Sequence, residues 1–216
     1  MKKTVIIVSV LALVLGMAAW AVAATVVGSK HDMRSYITGE TSQQVCVYCH
    51  TPHQAAAAAA QDPLWNHTLS SNGNYGVYNS STLNATPTNF GGGTAGSANV
   101  SQLCMSCHDG TVAVNNLYKA PGDGTTGTNI NVTGAALVGT DLTNDHPVNF
   151  TYDAALATAD GKLISPANSS YVVAGIPLYS STVQCASCHN VHDNANAPFL
   201  RVSNAASSLC TQCHVK

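Results

Sequence analysis

The chain has 216 residues, of which only 8% are charged, with a formal net charge of -2, 8 Cys and 9 His. A typical soluble domain is about 25% charged, so this surface is covered mainly by uncharged polar groups, and no basic face is available to hold nucleic acid. Leu, Ile, Val and Phe together number 46, about a fifth of the chain. That is too few to fill the core expected at this length, while the low net charge argues against intrinsic disorder. Something other than side chains fills the interior.

Met1-Lys2-Lys3, the apolar run Val5 to Ala19 and the small residues Ala21 to Ala24 predict a secretory signal peptide over residues 1–24. The mature chain is then exported, without a permanent membrane anchor, and with 6 basic and 10 acidic residues. Its first candidate site residue is His31, in Ser29-Lys-His-Asp32. The first cysteine pair follows in Cys46-Val-Tyr-Cys49-His50, with His53 three residues on. Six alanines, Ala55 to Ala60, lie between Pro52 and Pro63 and predict a short helix at best. Trp65 and His67 come next. Ser70 to Ser101 and Lys119 to Asn144, rich in Gly, Asn, Ser and Thr, read as long loops. They flank Cys104-Met-Ser-Cys107-His108. His146 stands in Asn144-Asp-His-Pro147, and Tyr171-Val-Val173 suggests a short strand. Cys185-Ala-Ser-Cys188-His189, with His192, and Cys210-Thr-Gln-Cys213-His214 complete the chain. Seven N-x-S/T sequons occur, the first at Asn66.

An exported chain with eight cysteines would ordinarily form four disulfides. Here all eight fall in C-x-x-C pairs, and each pair is followed at once by His. C-x-x-C-H is the attachment signature of c-type haem. Two thiols one turn apart can each form a thioether with a haem vinyl group, and the next residue supplies the proximal imidazole. Zinc ribbons also use C-x-x-C pairs but do not require the adjoining His. Cys46, Cys49, Cys104, Cys107, Cys185, Cys188, Cys210 and Cys213 therefore hold four haems c, with His50, His108, His189 and His214 on the iron. The expected fold is irregular and low in secondary structure, with short helices, few short strands and mostly coil, wrapped around four covalently bound haems.

Five His remain for the opposite faces: His31, His53, His67, His146 and His192. Met33 and Met105 are the mature chain's only methionines, and Met105 lies inside an attachment loop, so bis-His iron is favoured. Such iron has no open position; it passes electrons rather than binding substrate, and without a Met ligand its potential is low. An enzyme is therefore not expected. His50/His53 and His189/His192 share an H-x-x-H spacing, which suggests that the second His reaches a neighbouring haem. The motif order gives a single domain, 25–216, made of two haem-pair halves of about 25–145 and 146–216.

Ser29-Lys-His-Asp32, Cys46-x-x-Cys-His-Thr-Pro-His53, Pro63-Leu-Trp65, Leu103-Cys-x-x-Cys-His-Asp-Gly-Thr111, Asp145-His-Pro147 and Val183-Gln-Cys-x-x-Cys-His-x-x-His-Asp193 resemble the doubled C-x-x-C-H multihaem cytochromes. With four haems and no further domain, the chain is most similar to the tetrahaem extracellular cytochromes of the OmcE type. The resemblance implies filaments with a continuous haem chain, bis-His ligation throughout, and one haem completed by a His from the neighbouring subunit. It places distal roles on His31, His53, His146 and His192, with His31, near a chain end, offered as the residue that crosses. The expected function is electron transfer as a filament subunit outside the cell, toward extracellular acceptors and redox-partner cytochromes. The alternative is a soluble monomeric tetrahaem shuttle in the periplasm.

Overall fold

A computed structural model of the chain describes residues 26–53, 55, 64–91, 99–173 and 175–215. The expected signal peptide, and the alanine run apart from Ala55, lie outside these residues. The described chain is mostly coil with a few short helices and two short strands, as its composition predicts. Helix α1 (Val100–His108) is the longest, α2 (Ala154–Asp160) has seven residues, and α3 (Cys185–Cys188) is a single turn. Strands β1 (Phe150–Thr151) and β2 (Thr182–Val183) pair antiparallel, with Phe150 opposite Val183.

Local chemistry accounts for these limits. Helix α2 starts where the Asp153 carboxylate accepts the Leu156 amide at 2.8 Å and stops at Gly161, whose φ of 70° is the left-handed conformation that ends helices. Tyr171-Val-Val173, expected as a strand, makes only isolated bridges from Tyr171 to Asn168 and Pro177. The Ile176 amide donates to the Val173 carbonyl at 3.1 Å, so the segment turns back before a ladder can extend.

The interior is divided into four small clusters. The largest joins Phe150, Tyr152, Leu156, Val172, Ile176, Leu178 and Val183, with Cys213 packed against it. Ile37, Val47, Tyr48 and Val114 pack against Cys49 and Cys107. Trp65 and Leu103 lie beside Cys49. Tyr75, Phe90, Met105 and Leu142 form the fourth cluster. Three of the four clusters touch an attachment cysteine, so the apolar side chains are distributed along the motifs rather than gathered in one core.

The long loop after Lys119 is tied to the approach to the first motif. Asp123 accepts from the Ser42 hydroxyl at 2.7 Å and from the Gln43 amide at 3.0 Å, and Glu40 bridges to Thr126. Gly127, at φ 66°, lies so close to the Thr38 carbonyl that a Cβ there would collide with it.

Candidate functional site

Each attachment motif folds as one tight turn. The motifs sit on the 3-10 turn Val45–Tyr48, on α1, on α3 and on the 3-10 turn Cys210–Gln212. The amide of the His that ends the motif donates to the carbonyl of the first Cys, at 2.8 Å for His50, 3.1 Å for His189 and 3.0 Å for His214. His108 occupies the same place at the end of α1. Residues three apart on such a turn share a side, so both sulfurs of a pair face one way. None of the eight cysteines is in a disulfide. Burial pushes the Cys49 and Cys213 thiols up to about 11 and Cys107 to about 12. Cys104 and Cys185 lie against each other, and the hydrogen bond between them raises Cys104 and lowers Cys185.

Six of the histidines lie in three close pairs. Ring centres are 6.0 Å apart for His31 and His108, 6.1 Å for His50 and His192, and 6.4 Å for His146 and His214. An imidazole nitrogen binds a first-row metal at about 2 Å, and its ring centre lies about 1.1 Å behind it. Two imidazoles on opposite sides of one metal therefore have ring centres about 6.2 Å apart, and all three pairs match. A structural zinc needs about four protein ligands, yet among the described residues no group of three or more His, Cys, Asp or Glu could hold a metal ion. A haem iron needs only two, because the porphyrin supplies the rest. The residues fit haem.

Backbone carbonyls decide which ring nitrogen is free. Because a carbonyl can only accept, Nδ1–H is the donor from His108 to Ala136 at 2.7 Å, from His146 to Pro147 at 2.9 Å and from His189 to Pro198 at 3.0 Å. Nε2 then carries the lone pair that a metal takes. Burial lowers His31 to about 4 and also lowers His146 and His192, which keeps these rings in the neutral, ligating form.

His67 has the reverse arrangement. It is fully buried, and its Nε2–H donates to the Ala113 carbonyl at 2.9 Å, so the nitrogen left free in the other rings is used here. Its Nδ1 has no hydrogen-bond partner among the described residues. Met105 is fully buried in an apolar cluster. Trp65 packs edge-on to His50, with ring centres 6.5 Å apart.

His31 does not stand on a loose end. The Asp32 carboxylate accepts from the Gly28 amide at 2.9 Å and from Arg34 Nε and Nη2, each at 2.8 Å. The Arg34 hydrogen bonds hold the Asp32 carboxyl down at about 2. This braced turn places the His31 ring 4.5 Å from that of Phe199 and 6.0 Å from that of His108. His53 is exposed and, among the described residues, its ring contacts no other histidine; His189 is exposed as well and lies near enough to His31 that its charge helps to lower His31.

One feature of the site has no local sequence signal. Gln184, immediately before the third motif, is fully buried. Its Oε1 accepts from the Ser101 amide at 3.1 Å and from the Ser101 hydroxyl at 2.6 Å, both in the first turn of α1. The Ser101 Oγ in turn accepts from the Cys185 amide at 3.0 Å. Gln184 Nε2 donates to Asn149 Oδ1 at 2.8 Å and to Thr182 Oγ1 at 2.9 Å. The first turns of α1 and α3 thus cap each other, satisfying amides that a helix start leaves without a partner.

A family model of the doubled CXXCH motif matches residues 180–216, the segment that holds the third and fourth motifs. No curated protein matches the chain. The matched motif indicates a multihaem c-type cytochrome that carries covalently bound haem c and works in electron transfer.

Proposed function

We propose that the chain holds four haems c, each between two histidines, and serves as the subunit of an extracellular conducting filament. Haem iron supplies one-electron chemistry by cycling between its ferric and ferrous states. The chain's own residues place and enclose it. The eight cysteines anchor the porphyrins, His50, His108, His189 and His214 bind from the motif side, and His192, His31 and His146 face the first, second and fourth of these. Held between two histidines each, the haems would pass electrons rather than bind substrate.

The observation that carries this reading is the set of three His pairs at 6.0–6.4 Å. The filament reading draws on what the pairs leave over. His189 has its Nε2 free and His53 is exposed, and we assign His53 of one copy to the His189 haem of the next. A surface with only 8% charged residues also suits wide contact between copies better than the charge-steered encounters of a soluble shuttle.

The test is electron microscopy of haem-stained material sheared from producing cells and identified by mass spectrometry, joined to a carbon monoxide difference spectrum of dispersed subunits. Filaments of this chain, with one CO-reactive haem in dispersed subunits that is lost on assembly, are expected. Monodisperse periplasmic protein with four CO-inert haems would place His53 on its own chain's His189 haem and favour the soluble shuttle. His192→Ala is expected to open a CO-reactive site at the first motif in either case.

A further inference from the structure

The mutual cap between α1 and α3 is more than a means of ending two helices. Its members lie 83 residues apart in sequence and join the helix of the second motif to that of the third. Ser101 and Gln184 are fully buried, and the four polar contacts of the Gln184 amide, two accepted and two donated, leave it one orientation. Ser101 stands one turn before Cys104, and Gln184 immediately precedes Cys185. Fixing one turn therefore fixes the other. The first and second motifs instead approach through the apolar cluster at Cys49 and Cys107, which is softer to sliding than a set of directional hydrogen bonds.

We propose that Ser101 and Gln184 are positioning residues that hold the second and third haem attachments in register and so set the passage of electrons between the two halves of the chain. This rests on the four-haem reading. The Ser101 hydroxyl also hydrogen-bonds the Cys185 thiol; both residues act through the helix turns that carry Cys104 and Cys185. The joint is polar, and a polar joint has one geometry where an apolar one tolerates several.

The test uses the mature holoprotein with Ser101→Ala, Ser101→Thr and Gln184→Leu. Intact mass gives the number of covalent haems, and the Soret circular-dichroism couplet reads the mutual orientation of neighbouring haems. Four haems in every form, with most of the couplet lost in Ser101→Ala and Gln184→Leu and retained in Ser101→Thr, is the expected result. An unchanged couplet in all three variants would overturn the proposal. So would loss of haem from the second or third motif in Ser101→Ala, because the joint would then serve maturation rather than spacing. The unsubstituted protein is read first: fewer than four haems there would overturn the four-haem reading itself, before the variants are compared.

Discussion

The segments on either side of His146 are built on different principles. Beyond it, Phe150, Tyr152, Leu156, Val172, Ile176, Leu178 and Val183 form a continuous apolar cluster closed by the β1–β2 pair, a small core of the ordinary kind. Before it, the fully buried side chains are largely polar: Ser42, Asn66, His67, Ser101 and Ser106. Asn66 is the clearest case. Its Nδ2 donates to the Val47 and Lys119 carbonyls at 2.7 and 2.8 Å, and its Oδ1 accepts from the Lys119 amide at 2.8 Å. Hydrogen bonds are directional and worth only about 1 kcal/mol each net, so such a region is well specified but weakly driven to collapse. The N-terminal region spreads its apolar side chains over three small clusters separated by polar contacts, whereas the C-terminal one gathers them into one.

The largest effect that would expose this difference is removal of all the haems. A chain with its eight cysteines replaced is expected to lose its cooperative calorimetric transition, as small metal-dependent domains do without their metal. Amide exchange is expected to keep residual protection around Phe150–Val183 and none around Asn66; equal protection in both regions would break the comparison. Next in size, Ile176→Ala in the holoprotein removes a buried side chain from the apolar cluster and should cost about 2–5 kcal/mol in denaturant unfolding.

In the N-terminal region the corresponding probe is polar. Tyr75 donates its hydroxyl to the buried Asp109 carboxylate at 2.8 Å. Burial alone would raise Asp109, but its hydrogen bonds outweigh that and leave it lowered. Tyr75→Phe should therefore cost about 1.5–3 kcal/mol, the range for hydrogen bonds to charged groups. The smallest expected effect is that of acid on the His31 turn. Asp32 is lowered in the folded chain from 3.8 to about 2, so its contribution is complete above the ordinary value and is lost as pH falls from about 4 toward 2. The protection of the Gly28 amide, corrected for the intrinsic pH dependence of exchange, should fall over that window, and Arg34→Ala should move the loss to higher pH.

Much of the site is legible in the sequence because attachment is a local event: two sulfurs and an imidazole within five residues need one turn of chain, and four such turns are present. The scarcity of large apolar residues likewise foretells a coil-rich fold. Pairing of the histidines is not legible in the same way. His50 meets His192 and His146 meets His214 across long stretches of loop, and nothing near any of these residues names its partner. Nor does the position of His31 near a chain end show that Asp32 and Arg34, within three residues of it, brace its turn. Gln184 stands within the motif Val183-Gln-Cys185, but its capping role carries no signal until Ser101 is placed beside it. The Asn66 sequon likewise reads as a surface feature, whereas its amide is spent inside the protein.

The cap shared by Ser101 and Gln184 also orders events in time. A chain is made from its N-terminus, and the first turn of α1 lacks its partner until residue 184 has followed. Until then the second motif stands on an uncapped turn, and the cap closes only once the third motif has arrived. Biogenesis and architecture are in this sense a single schedule: the segment that completes the helix is the one that brings the next cofactor.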